Sequence, residues 1–308
     1  MSITIVIVNW NSGTQLRDCL LSIARYSGDL VERTVVVDNN SSDGSEMVAE
    51  QSASVKLIRA GQNLGFAKAC NLGAVDSSTE YLLFLNPDAE IKNGTLFVSN
   101  QFMGQPTNSK VAICGVQLRD HRDAVAHSCA RFPSARRFVG HSLGLDRLFP
   151  GSGLHMTDWD HMQTQKVDHV IGAFFLVRRQ VFISLNGFDE NFFMYLEDID
   201  FSYRSHKAGW ETAYLCETYA FHAGGGTSKN IKATRLFYSL QSQLVYSFKN
   251  LASPSAVLVL LVTLSIEPLL RAGLAFKRRS KQEFIEVLVA YKLLWRWLPA
   301  WLLKRVPT

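Results

Sequence analysis

The chain has 308 residues, of which 47% are hydrophobic and 19% charged; that balance excludes a disordered protein and is slightly poor in charge for a globular one. The net charge of +5 is uneven, because nine Lys/Arg face only three Glu from Leu251 onward, which puts about +6 on the tail and about −1 on residues 1–250. No nucleic-acid-binding body is expected, since its positive surface would have to come from the body itself.

The first eleven residues, MSITIVIVNWN, lack a basic region and a small-residue cleavage site, and read as a strand instead of a signal peptide. Ile3–Val8 is an apolar β-branched run suited to a strand buried on both faces. A turn over 9–13 leads into helical spacing from Thr14 to Tyr26. Strands are then predicted at Arg33–Val37, Val55–Arg59 and Tyr81–Leu85, with helices at Ser45–Gln51 and Phe66–Ala74. This alternation predicts an α/β fold with a doubly wound, mainly parallel sheet, whose ligands sit at the carboxyl ends of strands. The polar clusters Asn9-Trp10-Asn11, Asp38-Asn39-Asn40 and Asn86-Pro87-Asp88 fall at those ends. Residues 115–170 are irregular. Order returns over Val170–Val177, followed by a helix over Glu197–Ser205 and a late strand over Trp210–Leu215. The five cysteines are far apart, with no Cys-x-x-Cys pair. They read as reduced thiols of a cytoplasmic protein.

Seven segments, in order, resemble the family 2 glycosyltransferases of GT-A fold, most closely their rhamnosyltransferase-like branch: IVIVNWN (5–11), VVVDNNSSDGS (35–45), NLGFAKACNLG (63–73), LLFLNPDAEI (82–91), IGAFFLVRR (171–179), GFDENFFMYLEDIDFSYR (187–204) and FHAGGGTS (221–228). The resemblance implies a catalytic domain over 1–230, its donor half about 1–115 and its acceptor half about 116–230. A C-terminal helical, apolar and basic extension covers 231–308. It further implies a nucleotide-diphosphate sugar donor, with dTDP-rhamnose favoured and a UDP-sugar as the other option.

Transfer from such a donor must stabilise a leaving diphosphate, which a divalent cation, Mg²⁺ or Mn²⁺, does by neutralising developing charge. Asp88, just past an apolar strand, is the expected carboxylate ligand, and the resemblance adds His222. The family usually has Asp-x-Asp where this chain has Asn86, an amide suited to donor hydroxyls or phosphate. Gly224-Gly225-Gly226 would let the backbone close over the diphosphate. The resemblance assigns the base to Asp38, places Asn9 and Trp10 at base or ribose, and puts Asn63, Ala67 and Asn71 on the segment lining the nucleotide pocket. Gly65 there provides a tight turn. Each of these also has a plain reading as turn, cap or core chemistry.

For the acceptor, a sugar hydroxyl needs a base within reach, and the resemblance gives that role to Asp198, in an inverting displacement. Glu197 points about 100° away on the same helix and suits orienting the acceptor; Asp200 suits an i, i+4 pair with Arg204. The aromatics of 192–195 suit sugar faces or core.

The tail holds a 16-residue uncharged run, Leu251–Ile266, ended by Glu267, Pro268 and Arg271. It is short of the roughly 20 residues of a spanning helix. Basic residues at 277–281 and mixed aromatic, apolar and basic residues from Phe284 to Leu303 favour an interfacial helix on an anionic leaflet. That fits a glycan or polyprenyl-linked acceptor at the inner face of the cell membrane. An oligomer interface or a core-covering hairpin is the alternative. A nucleotidyltransferase and a non-catalytic sugar-nucleotide-binding subunit are the competing functions; the first lacks a basic Gly-rich loop after the opening strand, and Asn86 is the best support for the second.

Overall fold

A computed structural model describes residues 2–224 and 232–303. The chain divides into two units: residues 2–132, 155–193 and 197–224 form the first, and residues 133–154, 194–196 and 232–303 the second.

In the first unit, β1 (Ile3–Asn9) and β2 (Val31–Asp38) flank α1 (Gln15–Tyr26); α2 (Met47–Glu50), β3 (Val55–Arg59), α3 (Phe66–Ala74), β4 (Tyr81–Leu85), β5 (Ala89–Ile91), α4 (Thr95–Gly104) and β6 (Val111–Arg119) follow. Strand β1 is buried along its whole length, as its unbroken ITIVIVN run requires of a central parallel strand. β1 pairs in parallel with β2 on one side and β4 on the other, and β2 pairs with β3. The helix expected over 45–51 is only the single turn of α2, because Asp43 Oδ1 holds the amide of Ser45 in a side-chain turn instead.

After residue 120 the chain contributes β7 (Cys129–Ala130) to this unit, α5 (Ala135–Ser142) to the second, and then β8 (Gln165–Val167), β9 (His169–Val170), β10 (Phe174–Arg178) and α6 (Arg179–Ser184) to the first again. The ordered stretch over 170–177 is thus two strands, parted at 171–173. β10 runs antiparallel between β4 and β6. Helix α7 (Glu197–Lys207) precedes β11 (Glu211–His222), which is parallel to β6 and antiparallel to β5. The main sheet is ordered β3-β2-β1-β4-β10-β6-β11-β5, with β8 on β11 and β7-β9 as a separate pair. The late strand is longer than its apolar core suggests, and its extra length carries His222 to β5.

The second unit is helical: α5, α8 (Lys232–Asn250), α9 (Ser253–Lys277) and α10 (Lys281–Leu303). The uncharged run ends at Glu267, yet the helix continues for ten residues with Pro268 inside it, at the cost of the bond to the Leu264 carbonyl. Glu267 is 1% exposed and makes two hydrogen bonds from Arg271, at 2.9 and 2.7 Å, and one from Ser142 of α5, at 2.8 Å. Lys304 lies outside the described residues.

Candidate active site

The ends of β1 and β2 meet in register, Asn9 opposite Asp38. The buried Asn9 amide nitrogen lies 2.9 Å from Asp38 Oδ1, 3.1 Å from Ser41 Oγ and 2.9 Å from Ser45 Oγ, while Ser12 donates to its carbonyl. Its polar atoms are thus engaged inside the protein. Asp38 Oδ2 accepts from the Ser41 amide at 3.1 Å, so the carboxylate is held rigidly at the strand end with lone pairs to spare. Trp10 is half-buried beyond that end.

Asn39, not singled out from the sequence, ties this strand end to the next loop. It donates to the Gly65 carbonyl at 3.1 Å and accepts from the Leu64 amide at 3.0 Å. Asn63 is exposed and closes the turn by accepting from the Gly65 amide at 3.0 Å. Gly65 has φ +81°, and a Cβ there would run into the Phe193 carbonyl, whose oxygen accepts from Phe66 at 2.7 Å. Ala67 is fully buried in the core with Val6, Val37 and Phe84; its small side chain lets α3 approach the sheet. Asn71 grips the 188–190 loop: it donates to the Phe188 carbonyl at 2.8 Å and to Glu190 Oε1 at 3.1 Å, and accepts from the Phe188 amide at 2.9 Å.

Asn86 is half-buried, and its backbone N–H donates to the Ala173 carbonyl at 3.1 Å. Asp88 Oδ1 stands 3.3 Å from His222 Nε2, and the backbone joins them again through the Ala223 amide on the Asp88 carbonyl at 3.0 Å. Asp88 opens into a depression of about 420 Å³ whose wall also carries Asp18, Glu90, Lys92 and Phe221. Among the described residues no three His, Cys, Asp or Glu side chains form a group that could hold a metal ion. The Asp88–His222 pair therefore offers two donors, a number that suits a cation drawing its other ligands from a diphosphate and water. Gly225 and Gly226 lie outside the described residues.

Asp198 begins α7 with both oxygens engaged. Oδ2 accepts from the Gly172 amide at 2.8 Å and Oδ1 from the Ile199 amide at 2.8 Å. Burial acts to raise its pKa, but the charge of the nearby His169 and these hydrogen bonds outweigh it and hold the carboxyl below the usual range. Glu197 shows the opposite balance: burial, then the charge of Asp198, pushes it well above the usual range, and its buried Oε2 has no hydrogen-bond partner. The two pKa values are thus pushed apart, Asp198 towards the ionised form and Glu197 towards the protonated one. Asp200 is buried and pairs with Arg204 at 2.8 Å, as the i, i+4 spacing predicts. Arg204 also donates to the Leu185 and Gly187 carbonyls. Of the aromatics, Phe192 is core. Tyr195 and Leu196, which precede Glu197, both have positive φ, 69° and 64°. Consecutive residues 172 and 173 thus reach Asp198 and Asn86, one from each amide or carbonyl.

Residues 4–185 match the model of Glycosyl transferase family 2, and the chain belongs to that family. It is a glycosyltransferase of GT-A fold. An N-acetylglucosaminyl-diphospho-decaprenol L-rhamnosyltransferase of Mycobacterium tuberculosis is 27% identical over 239 residues, covering 71% of this chain and 75% of its own length. The rhamnosyltransferase WbbL of Escherichia coli K12 is 26% identical over 224 residues, covering 70% and 81%. Among solved structures, the mannosyltransferase PcManGT of Pyrobaculum calidifontis, in complex with GDP-Man and Mn²⁺, aligns with TM-score 0.54 at 15% identity over 94% of this chain and 73% of its own. Staphylococcus aureus TarS 1-349 aligns with TM-score 0.54 at 14% identity over 96% and 81%.

Proposed function

We propose that this chain is an inverting transferase that moves a sugar, with rhamnose favoured, from a nucleotide diphosphate to a glycan carried on a polyprenyl-type lipid. The observation that carries the reading is the Asp198 carboxylate, fixed by the Gly172 amide at 2.8 Å beside the segment that bonds the Asn86 backbone amide. The names of the rhamnosyltransferase relatives, one acting on a decaprenol-linked sugar, support the donor and acceptor classes.

Asp38, held by Asn9 and Ser41, accepts from the pyrimidine ring N–H. Asn86 hydrogen-bonds the donor sugar or phosphate. Asp88 and His222 would hold a divalent cation, which would neutralise charge on the departing diphosphate. Asp198 takes the acceptor hydroxyl proton as that oxygen attacks the anomeric carbon. Protonated Glu197 remains a neutral hydrogen-bond donor beside it.

The second unit supports a membrane surface as partner. Helix α9 is long and apolar enough to cross a membrane by length and composition, and only 22% of its most apolar window is buried. Its open face presents Leu258, Leu261, Leu269 and Phe276, and the turn beyond carries Lys277, Arg278, Arg279 and Lys281. The opposite face packs against α5, α8 and α10 and carries the buried Glu267. One free apolar face with a basic end suits a helix lying in the interface of an anionic leaflet, at the cytoplasmic side.

The test is turnover of a panel of nucleotide-sugars with a polyprenyl-diphosphate-linked acceptor and Mn²⁺ or Mg²⁺, with the product anomer assigned by NMR. Asp198→Asn should cut kcat by roughly 10²–10⁴ with donor binding retained. Product of retained configuration, or undiminished turnover in the variant, removes Asp198 from this role.

A further inference from the structure

His169 of β9 is 1% exposed and lies beside the acidic motif. Its Nδ1 is 2.9 Å from Ser202 Oγ. Its Nε2 has no hydrogen bond and faces Asp198 Oδ2 at 3.5 Å. Asp198 and Ser202 are one turn apart on α7, so both project from one face of the helix. The imidazole therefore meets the helix at two points, one of them the carboxylate read as the base.

We infer that His169 is a positioning residue for the general base: with Nδ1 held by Ser202 Oγ, the Nε2–H is aimed at Oδ2 and leaves Oδ1 as the oxygen that receives the acceptor proton. The inference rests on reading Asp198 as that base. Oδ2 already accepts from the Gly172 amide, and an N–H from the imidazole completes its hydrogen bonding. Oδ1 accepts only from the adjoining Ile199 amide among the described residues. In the transfer, the acceptor O–H bond breaks and its proton goes to Oδ1. The acceptor oxygen bonds to the anomeric carbon, and the bond from that carbon to the diphosphate oxygen breaks, its electron pair leaving with the diphosphate.

The other titratable groups here are Glu197 and Asp200 on α7, Cys70 on α3, Cys129 on β7 and Tyr214 on β11. Burial raises the two thiols and the phenol, Cys129 to about 12. Asp200 is tied to Arg204. Glu197 is pushed up by burial and by Asp198, so it is the one group whose titration must be separated from that of the base.

The experiment is the pH profile of kcat/KM for the full chain and for His169→Leu, which removes the donor, with folding checked by melting in the presence of the nucleoside diphosphate. The expected result is an acid limb moved up by about one pH unit, which is roughly tenfold lower kcat/KM on that limb, with donor KM unchanged and activity recovering at higher pH. The same displacement should persist in a Glu197→Gln background. An unmoved limb, or an equal loss at every pH, overturns the inference. If His169→Leu does not melt cooperatively, Ser202→Ala carries the test, with a smaller shift of the same sign expected and no shift overturning it. Full turnover in Asp198→Asn instead refutes the base assignment itself, which the His169 profile does not address.

Discussion

His222 Nε2 stands 3.3 Å from Asp88 Oδ1 because β5 and β11 run antiparallel with Ala89 opposite His222. The next amide, Ala223, then caps the Asp88 carbonyl. A carboxylate and an imidazole alone make a weak site for a hard cation. Calorimetry should find weak Mn²⁺ binding to the free protein and much tighter binding with the nucleoside diphosphate present. His222→Ala should weaken the second value about tenfold, ~1.4 kcal/mol, and chelation should abolish turnover. Equal ion affinity with and without nucleotide would count against a shared site.

Glu197 supplies a stability test with a defined sign. Its pKa is raised in the folded protein by burial first and by Asp198 second, so above the ordinary 4.5 the unfolded chain has released a proton that the native state keeps. Stability therefore falls as pH rises through that window. Glu197→Gln should melt higher than the parent at pH 8 and lose that advantage towards pH 4. A pH-independent difference would refute the protonated state.

Asn71 makes three hydrogen bonds to the loop leading into the acidic motif. Asn71→Ala leaves the Phe188 amide and carbonyl without these partners, and such losses cost about 1–3 kcal/mol. Urea unfolding should register that loss, and kcat should fall more than donor affinity does. If donor binding is lost while kcat is kept, Asn71 belongs to the nucleotide pocket instead.

The strand ends were readable because unbroken apolar runs end there in Asn or Asp: Asn9, Asp38 and Asn86 sit where the runs predict. What those side chains do was not readable. Asn9 and Asn71 look like ligand contacts in one dimension, yet their amides are taken by Ser45 and Phe188, partners fixed only by the folded topology. His169 was one of eight histidines, six of them in the irregular stretch 115–170; the one available signal was Ser202 placed a helical turn beyond Asp198. Residues 133–154 read as part of the acceptor half, but α5 packs on α9, and a buried serine–glutamate bond between distant helices leaves no periodic trace.

The exposed face of α9 gives a further test. Leu261→Lys with Leu269→Lys should leave the melting temperature nearly unchanged, because both side chains are already open, at 59% and 74%. Sedimentation with vesicles containing anionic lipid should fall several-fold, although two positive charges are added. Binding that rises instead would mean that charge alone holds the chain at the membrane.

The Gly172-Ala173 dipeptide fixes a length. Its first N–H bonds Asp198 at 2.8 Å and its last carbonyl accepts from the Asn86 backbone amide at 3.1 Å, so the spacing between the carboxylate proposed as the base and the end of β4 is that of two residues of backbone. Apart from Asp198 itself, no side chain sets it. Sugars of different size must be accommodated by the surrounding loops, while the line along which the two oxygens exchange places stays the same. On the proposed displacement, selectivity can drift in this chain without any change in stereochemical outcome.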